Sequence, residues 1–132
     1  MNVKALFGCI LLLSLSSVEA VDNLSILISS PKDEAKVDFR QEITGMVSDQ
    51  NADVWVVIHP VETFDFWIQA PVTVKEDGSW KVVVYFGESG QHIGKKYEVR
   101  AFANPAVVIS QGKSTQWPKA AARSNVLEVI RQ

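Results

Sequence analysis

Between Leu24 and Arg131, apolar residues recur with a period of two, and no stretch carries a convincing helical period. Successive side chains leave a pleated backbone on opposite faces, so this alternation is the pattern of half-buried β-strands. Leu24, Ile26 and Ile28 mark a first strand, broken at Ser29-Ser30-Pro31-Lys32-Asp33, and Ile43, Gly45 and Val47 mark a second. Val54–Ile58 is a continuous apolar run, as expected for a strand covered on both faces. Trp67–Ala70 and Val72–Lys75 flank Pro71, and Glu76-Asp77-Gly78-Ser79 carries the Asp-Gly pair of a tight hairpin. Beyond it, Trp80, Val82, Val84 and Phe86 share one face. Tyr97, Val99, Ala101 and Ala103 do so after the Gly87–Gly94 loop, and Val126–Arg131 forms a last strand. The one helix candidate is Lys119–Arg123, a turn or so behind Pro118. Seven or eight short strands with frequent turn signals predict an all-β fold, an antiparallel β-sandwich. A ligand-holding barrel requires longer and more regular hairpins.

The first twenty residues follow a different logic. Lys4 precedes an eleven-residue apolar run, Ala5–Leu15, and Val18-Glu19-Ala20 sets small residues at the −3 and −1 positions of a cleavage site. This is the layout of a secretory signal peptide, residues 1–20, leaving a sandwich domain over 21–132. The run is too short for the ~20 residues that cross ~30 Å of hydrocarbon as a helix, so no membrane span is expected. Removing 20 of the 132 residues leaves 112; Lys4 and Glu19 leave together, so the net charge stays at −2. Cys9, the single cysteine, leaves with them. The mature domain then holds together through its core alone, indifferent to redox state. Leu6-Phe7-Gly8-Cys9 loosely resembles a bacterial lipobox. Phe7 is bulky for that motif, however, and lipidation at Cys9 would leave Ile10–Leu13 on the mature chain.

Three segments carry a resemblance. Trp55 sits within Val54-Trp55-Val56-Val57, Asp77-Gly78-Ser79-Trp80 precedes alternating valines, and Gly94-Lys95-Lys96-Tyr97-Glu98-Val99-Arg100-Ala101 opens a late strand. Together they resemble bacterial extracytoplasmic immunoglobulin-like or fibronectin-III-like β-sandwich modules. The resemblance implies a buried strand-C tryptophan at Trp55, a hairpin at Asp77-Gly78, and a tyrosine corner at Tyr97. The cysteine pair of antibody domains is missing. Ala106–Arg123 is longer than a usual F–G connection, either an elaborated loop or an added strand at Val107–Ile109. Such a fold hosts many roles and does not itself name one.

Chemistry-bearing motifs are sparse. The chain contains no nucleophile elbow, P-loop, HExxH or dinucleotide fingerprint. His59 and His92 are the only histidines. With Glu62 and Asp65 they fit no standard ligand spacing, so no metal or other cofactor is expected. Asp49-x-Asn51-x-Asp53 opens like a calcium loop, but Val54 stands where glycine is needed and Pro60 at the twelfth position. A polar turn is the simpler reading, with a looser inter-loop calcium site left open. A near-neutral charge without a basic block argues against nucleic acid. The aromatic residues are the informative group. Trp55 and Trp80 belong to the core by strand position. Phe64, Phe66 and Trp67 follow His59-Pro60 closely, and Trp117 stands beside Pro118 in the irregular stretch. Trp117 with Phe64, Phe66 and Trp67 either marks a contact patch or fills and closes the sandwich.

These observations lead to an exported, non-enzymatic binding module, periplasmic or secreted after cleavage near Ala20, that recognises a protein partner. A carbohydrate-binding module is the alternative, marked by exposed coplanar aromatics. A small enzyme or enzyme inhibitor is the remaining class, with His59, Glu62 and Asp65 its thin catalytic candidates.

Overall fold

The alternating runs assemble into two sheets. The computed structural model describes residues 23–132; the expected signal peptide, Cys9 included, lies outside the described residues. The smaller sheet has the order β1 (Ile26–Ser30), β3 (Arg40–Val47), β7 (Ser79–Tyr85) and β6 (Thr73–Val74). The larger runs β2 (Lys36–Val37), β11 (Leu127–Arg131), β8 (Lys96–Pro105), β4 (Val54–Pro60), β5 (Phe66–Ile68) and β9 (Gly112–Ser114), with β10 (Ala120–Arg123) also paired to β8. Only the β2–β11 ladder is parallel among the described pairs. The molecule is therefore an all-β, sandwich-like fold, and no helix among the described residues is long and apolar enough to cross a membrane. The strand number exceeds seven or eight because short ladders such as β2, β6 and β9 are added to the long ones.

Side-chain alternation decides what each sheet buries. Val54, Val56 and Ile58 of β4 and Val99, Ala101 and Ala103 of β8 face inward, against Ile43, Val82 and Val84 of the smaller sheet. Trp80 belongs to this inner core and lies over Gly45, where a Cβ would collide with its indole and with the Leu27 carbonyl. Gly45 is thus the space the tryptophan needs. Trp55, Val57, Ile68 and Phe102 point the other way and form a second apolar cluster on the outer face of the larger sheet. Phe66, Ile109, Trp117 and Ala120 cover it. Both faces of β4 are covered, which is why Val54–Ile58 reads as an unbroken apolar run. Trp55, 8% exposed, is buried as expected but outside the space between the sheets.

Two segments differ from the sequence reading, and a third resolves an alternative it left open. Lys119–Arg123 is not a helical turn: Ala120–Arg123 is β10, paired along β8 at Ala120↔Pro105 and Arg123↔Phe102. A single turn of alanines cannot offset the cost of helix nucleation, whereas the free edge of β8 supplies a ladder. Val107–Ile109 is loop, and the added strand is Gly112–Ser114, paired with Phe66–Ile68. Lys36–Val37, which the alternation assigned to no strand, is β2. β10 and β11 share one edge of β8 with a bulge between them: four residues pass from Arg123 to Leu127 while three pass from Phe102 to Val99. Buried Ser124 stitches this bulge. Its N–H donates to the Ala101 carbonyl (2.8 Å), and its Oγ accepts from the Ala101 N–H (2.9 Å).

Candidate functional site

β5 sends its aromatics in two directions. Phe66 and Ile68 face the outer cluster, and Trp67 between them faces the opposite side, on the flank where the two sheets part. On the outer face, Phe66 stacks on His59 at 4.2 Å and 12° between planes, and Trp117 meets Phe66 edge-on at 4.9 Å. Trp117 also lies 5.8 Å from Phe102. The structure thus brings Phe66 and Trp117 together, half-buried, as a lid on the outer cluster. Phe64 is separate, 92% exposed on the β4–β5 loop, and Trp67, 41% exposed, is separate again.

Trp67 lines a cleft of about 820 Å³, within the size range of ligand sites. Ile58, Gln69 and Tyr97 line it from the sheets, and Gly87, Glu88 and His92 line it from the β7–β8 loop. Gln69 is buried at the crossing from one sheet to the other; its Oε1 accepts from the Tyr85 N–H at 3.2 Å, where the edge of β7 has outrun β6. Gly87, at φ +75°, leaves room for its neighbours: a Cβ there would sit 2.7 Å from both the His92 ring and the Tyr97 hydroxyl. Lys95 Nζ pairs with Glu62 across the two loops at 2.9 Å, an exposed bridge worth at most ~1 kcal/mol. The loop wall is held by Arg131, 3% exposed, whose Nη1 donates to the carbonyls of Phe86 (2.8 Å), Glu88 (3.1 Å) and Gln91 (2.6 Å). Its guanidinium also lies 5.4 Å from the Phe39 ring centroid.

Electrostatics mark three groups. Burial raises the Tyr97 phenol above its ordinary value, opposed by the positive charges of Arg131 and Lys95. Burial lowers the Arg100 guanidinium, and neighbouring Arg123 lowers it further. The Ser79 hydroxyl and backbone N–H hold the exposed Asp77 carboxylate low within the β6–β7 hairpin.

The remaining candidates from the sequence do not converge. His59 Nδ1 contacts Glu98 Oε1 and its Nε2 the Thr63 carbonyl, both at 2.8 Å, so both ring nitrogens are engaged within the protein. Glu62 turns to Lys95, and Asp65 lies 4.0 Å from Lys113. Asp49 Oδ1 accepts from the Asn51 N–H at 2.9 Å, the polar turn expected, and the Asp53 N–H donates to Asn104 Oδ1. Among the described residues, no three His, Cys, Asp or Glu side chains gather as a metal site. Sequence reasoning missed the cleft because its walls come from β4, β5 and a loop about 30 residues later. The one signal was Trp67, an indole on a short strand, out of phase with Phe66 and Ile68. No protein-family model matches this chain, and no curated protein matches it either.

Proposed function

We propose that the protein is an exported, non-enzymatic binding module, periplasmic or secreted, built on an immunoglobulin-like sandwich and recognising a protein partner. The orders β1-β3-β7-β6 and β11-β8-β4-β5 support the fold-family part of this reading. They follow the A-B-E-D and G-F-C-C′ orders of immunoglobulin sandwiches. The outward-facing Trp55 is where it departs from that family.

The observation that carries the binding role is the exposure of Trp67 in the cleft wall and of Phe64 on the β4–β5 loop, whose neighbours Thr63 and Asp65 line the same cleft. These two large aromatics, left in solvent beside an 820 Å³ cleft, are not needed by either apolar cluster. Large rigid side chains in such positions anchor interfaces at low entropic cost. In-cell crosslinking from a photoreactive residue at position 62 tests this, comparing wild type with Phe64→Ala and Trp67→Ala. A defined protein captured by wild type and lost in both variants, at unchanged melting temperature, is the expected result; an unchanged capture pattern overturns the reading. The volume of the cleft and its Trp67 wall favour a carbohydrate as the second reading. Glycan binding abolished by Trp67→Ala, with no protein captured, would select it.

A further inference from the structure

Beyond the aromatic lid, the outer face of the larger sheet carries two neighbouring arginines. Arg100 of β8 is the cross-strand partner of Val57, and Arg123 of β10 is that of Phe102, so both arginines share the face of the outer cluster. Arg100 Nε donates to the Ser124 carbonyl at 2.8 Å, which draws its guanidinium alongside the strand bearing Arg123. The guanidinium carbon of Arg100 lies 6.0 Å from the Phe102 ring centroid, and Trp117 packs 5.8 Å from that same ring.

Neither arginine has a carboxylate within ion-pair distance among the described residues. The two acids on this face are already engaged, Glu98 with His59 and Glu128 with Lys96. Arg100 is half-buried and Arg123 exposed, and no Nη of Arg100 meets a protein acceptor among the described residues. Two like charges side by side, one partly stripped of water, repel each other until an anion lies between them. Burial and then Arg123 lower the Arg100 pKa, and Glu98, turned to His59, offsets this only in part.

We propose that Arg100 and Arg123 form a carboxylate site that takes an acidic side chain of a peptide segment, with the Trp117 ring flanking the docked chain. The proposal rests on the reading of the molecule as a protein-binding module and names the chemistry of the partner. A planar carboxylate matches the fork of a guanidinium in two parallel hydrogen bonds, and a single negative charge suits a two-cation site. A nucleic acid does not suit it, because the chain as a whole carries a net charge of −2 and offers no broad basic field.

Titration of the 15N-labelled protein with an acetylated tetraglutamate peptide tests the site without any partner being known. Tetraglutamine and sodium phosphate serve as comparison ligands. The expected result is movement of the Arg100 and Arg123 Nε–H signals and of the Trp117 indole N–H with tetraglutamate. The apparent Kd should rise at least tenfold in Arg123→Gln and in Arg100→Gln, and binding should weaken in 0.5 M salt. Arg123→Gln changes an exposed residue and carries the test alone if Arg100→Gln fails to fold. Equal affinity in Arg123→Gln, or an equal response to tetraglutamine, overturns the site; phosphate binding as tightly as tetraglutamate overturns its assignment to a peptide carboxylate. Failure of this titration leaves crosslinking from the β4–β5 loop untouched, and failure of the crosslinking leaves the titration untouched, so the two readings fall separately.

Discussion

Gly45 is a position with no room for one added methyl. Its missing side chain is occupied by the indole of Trp80 on one side and a backbone carbonyl on the other, and neither can retreat. Gly45→Ala should therefore cost about 1–3 kcal/mol, as overpacking does, visible as a lower urea midpoint at unchanged m-value. Tyr97 carries a pH signature. Its phenol is raised above 10.0 by burial, so the stability it contributes is complete below the unfolded-state value and is lost as pH rises through the folded one. Wild type should weaken above about pH 10 by this route. Tyr97→Phe, which has no proton to lose, should hold its melting temperature further into alkali. A parallel decline of both proteins would place the alkaline sensitivity elsewhere.

At the scale of elements, the segment between β8 and β10 behaves as a strap across the outer face. It is fastened by the three-residue ladder of β9 and by Trp117 packed on Phe66 and Phe102. Trp117→Ala should cost roughly 2–3 kcal/mol, below the 3–5 of a fully buried aromatic, because the ring is half-exposed. Amide exchange should accelerate over β9 first. A melting temperature within a degree of wild type would show that the strap does not depend on this ring. The long strands were legible from alternation alone, since Ile43, Val82, Val84, Val99 and Val129 repeat every second residue into one core. β10 was not, because Ala120–Arg123 has strand character only through the neighbour it finds on β8. Nor was the direction of the aromatics: Phe66 and Trp67 differ by one residue, and one residue is the whole difference between the outer cluster and the cleft.

For the whole molecule, Arg131 joins regions that the sequence keeps apart. Its side chain satisfies three carbonyls of the loop that walls the cleft, and its backbone pairs with Lys95 while the Gly94 N–H donates to its carbonyl. Arg131→Met keeps an apolar stem over Phe39 but leaves those three carbonyls without their donor. It should cost about 3 kcal/mol, since an orphaned buried group costs roughly 1–3 and, of the three bonds, only that to Phe86 is fully buried. Amide exchange should speed up over residues 86–95, with β1 and β3 protected to the same relative degree. Uniform exposure of every strand would show that the clamp serves global stability and not the wall.

That clamp also sets a timetable. A chain is made from its N-terminus, and the loop at residues 86–91 emerges some 40 residues before the arginine that holds it. Trp67 is out earlier still, but the wall opposite it lacks the donor for three of its carbonyls until β11 arrives. The cleft therefore takes its final shape only once β11 is in place, however early its other wall is made.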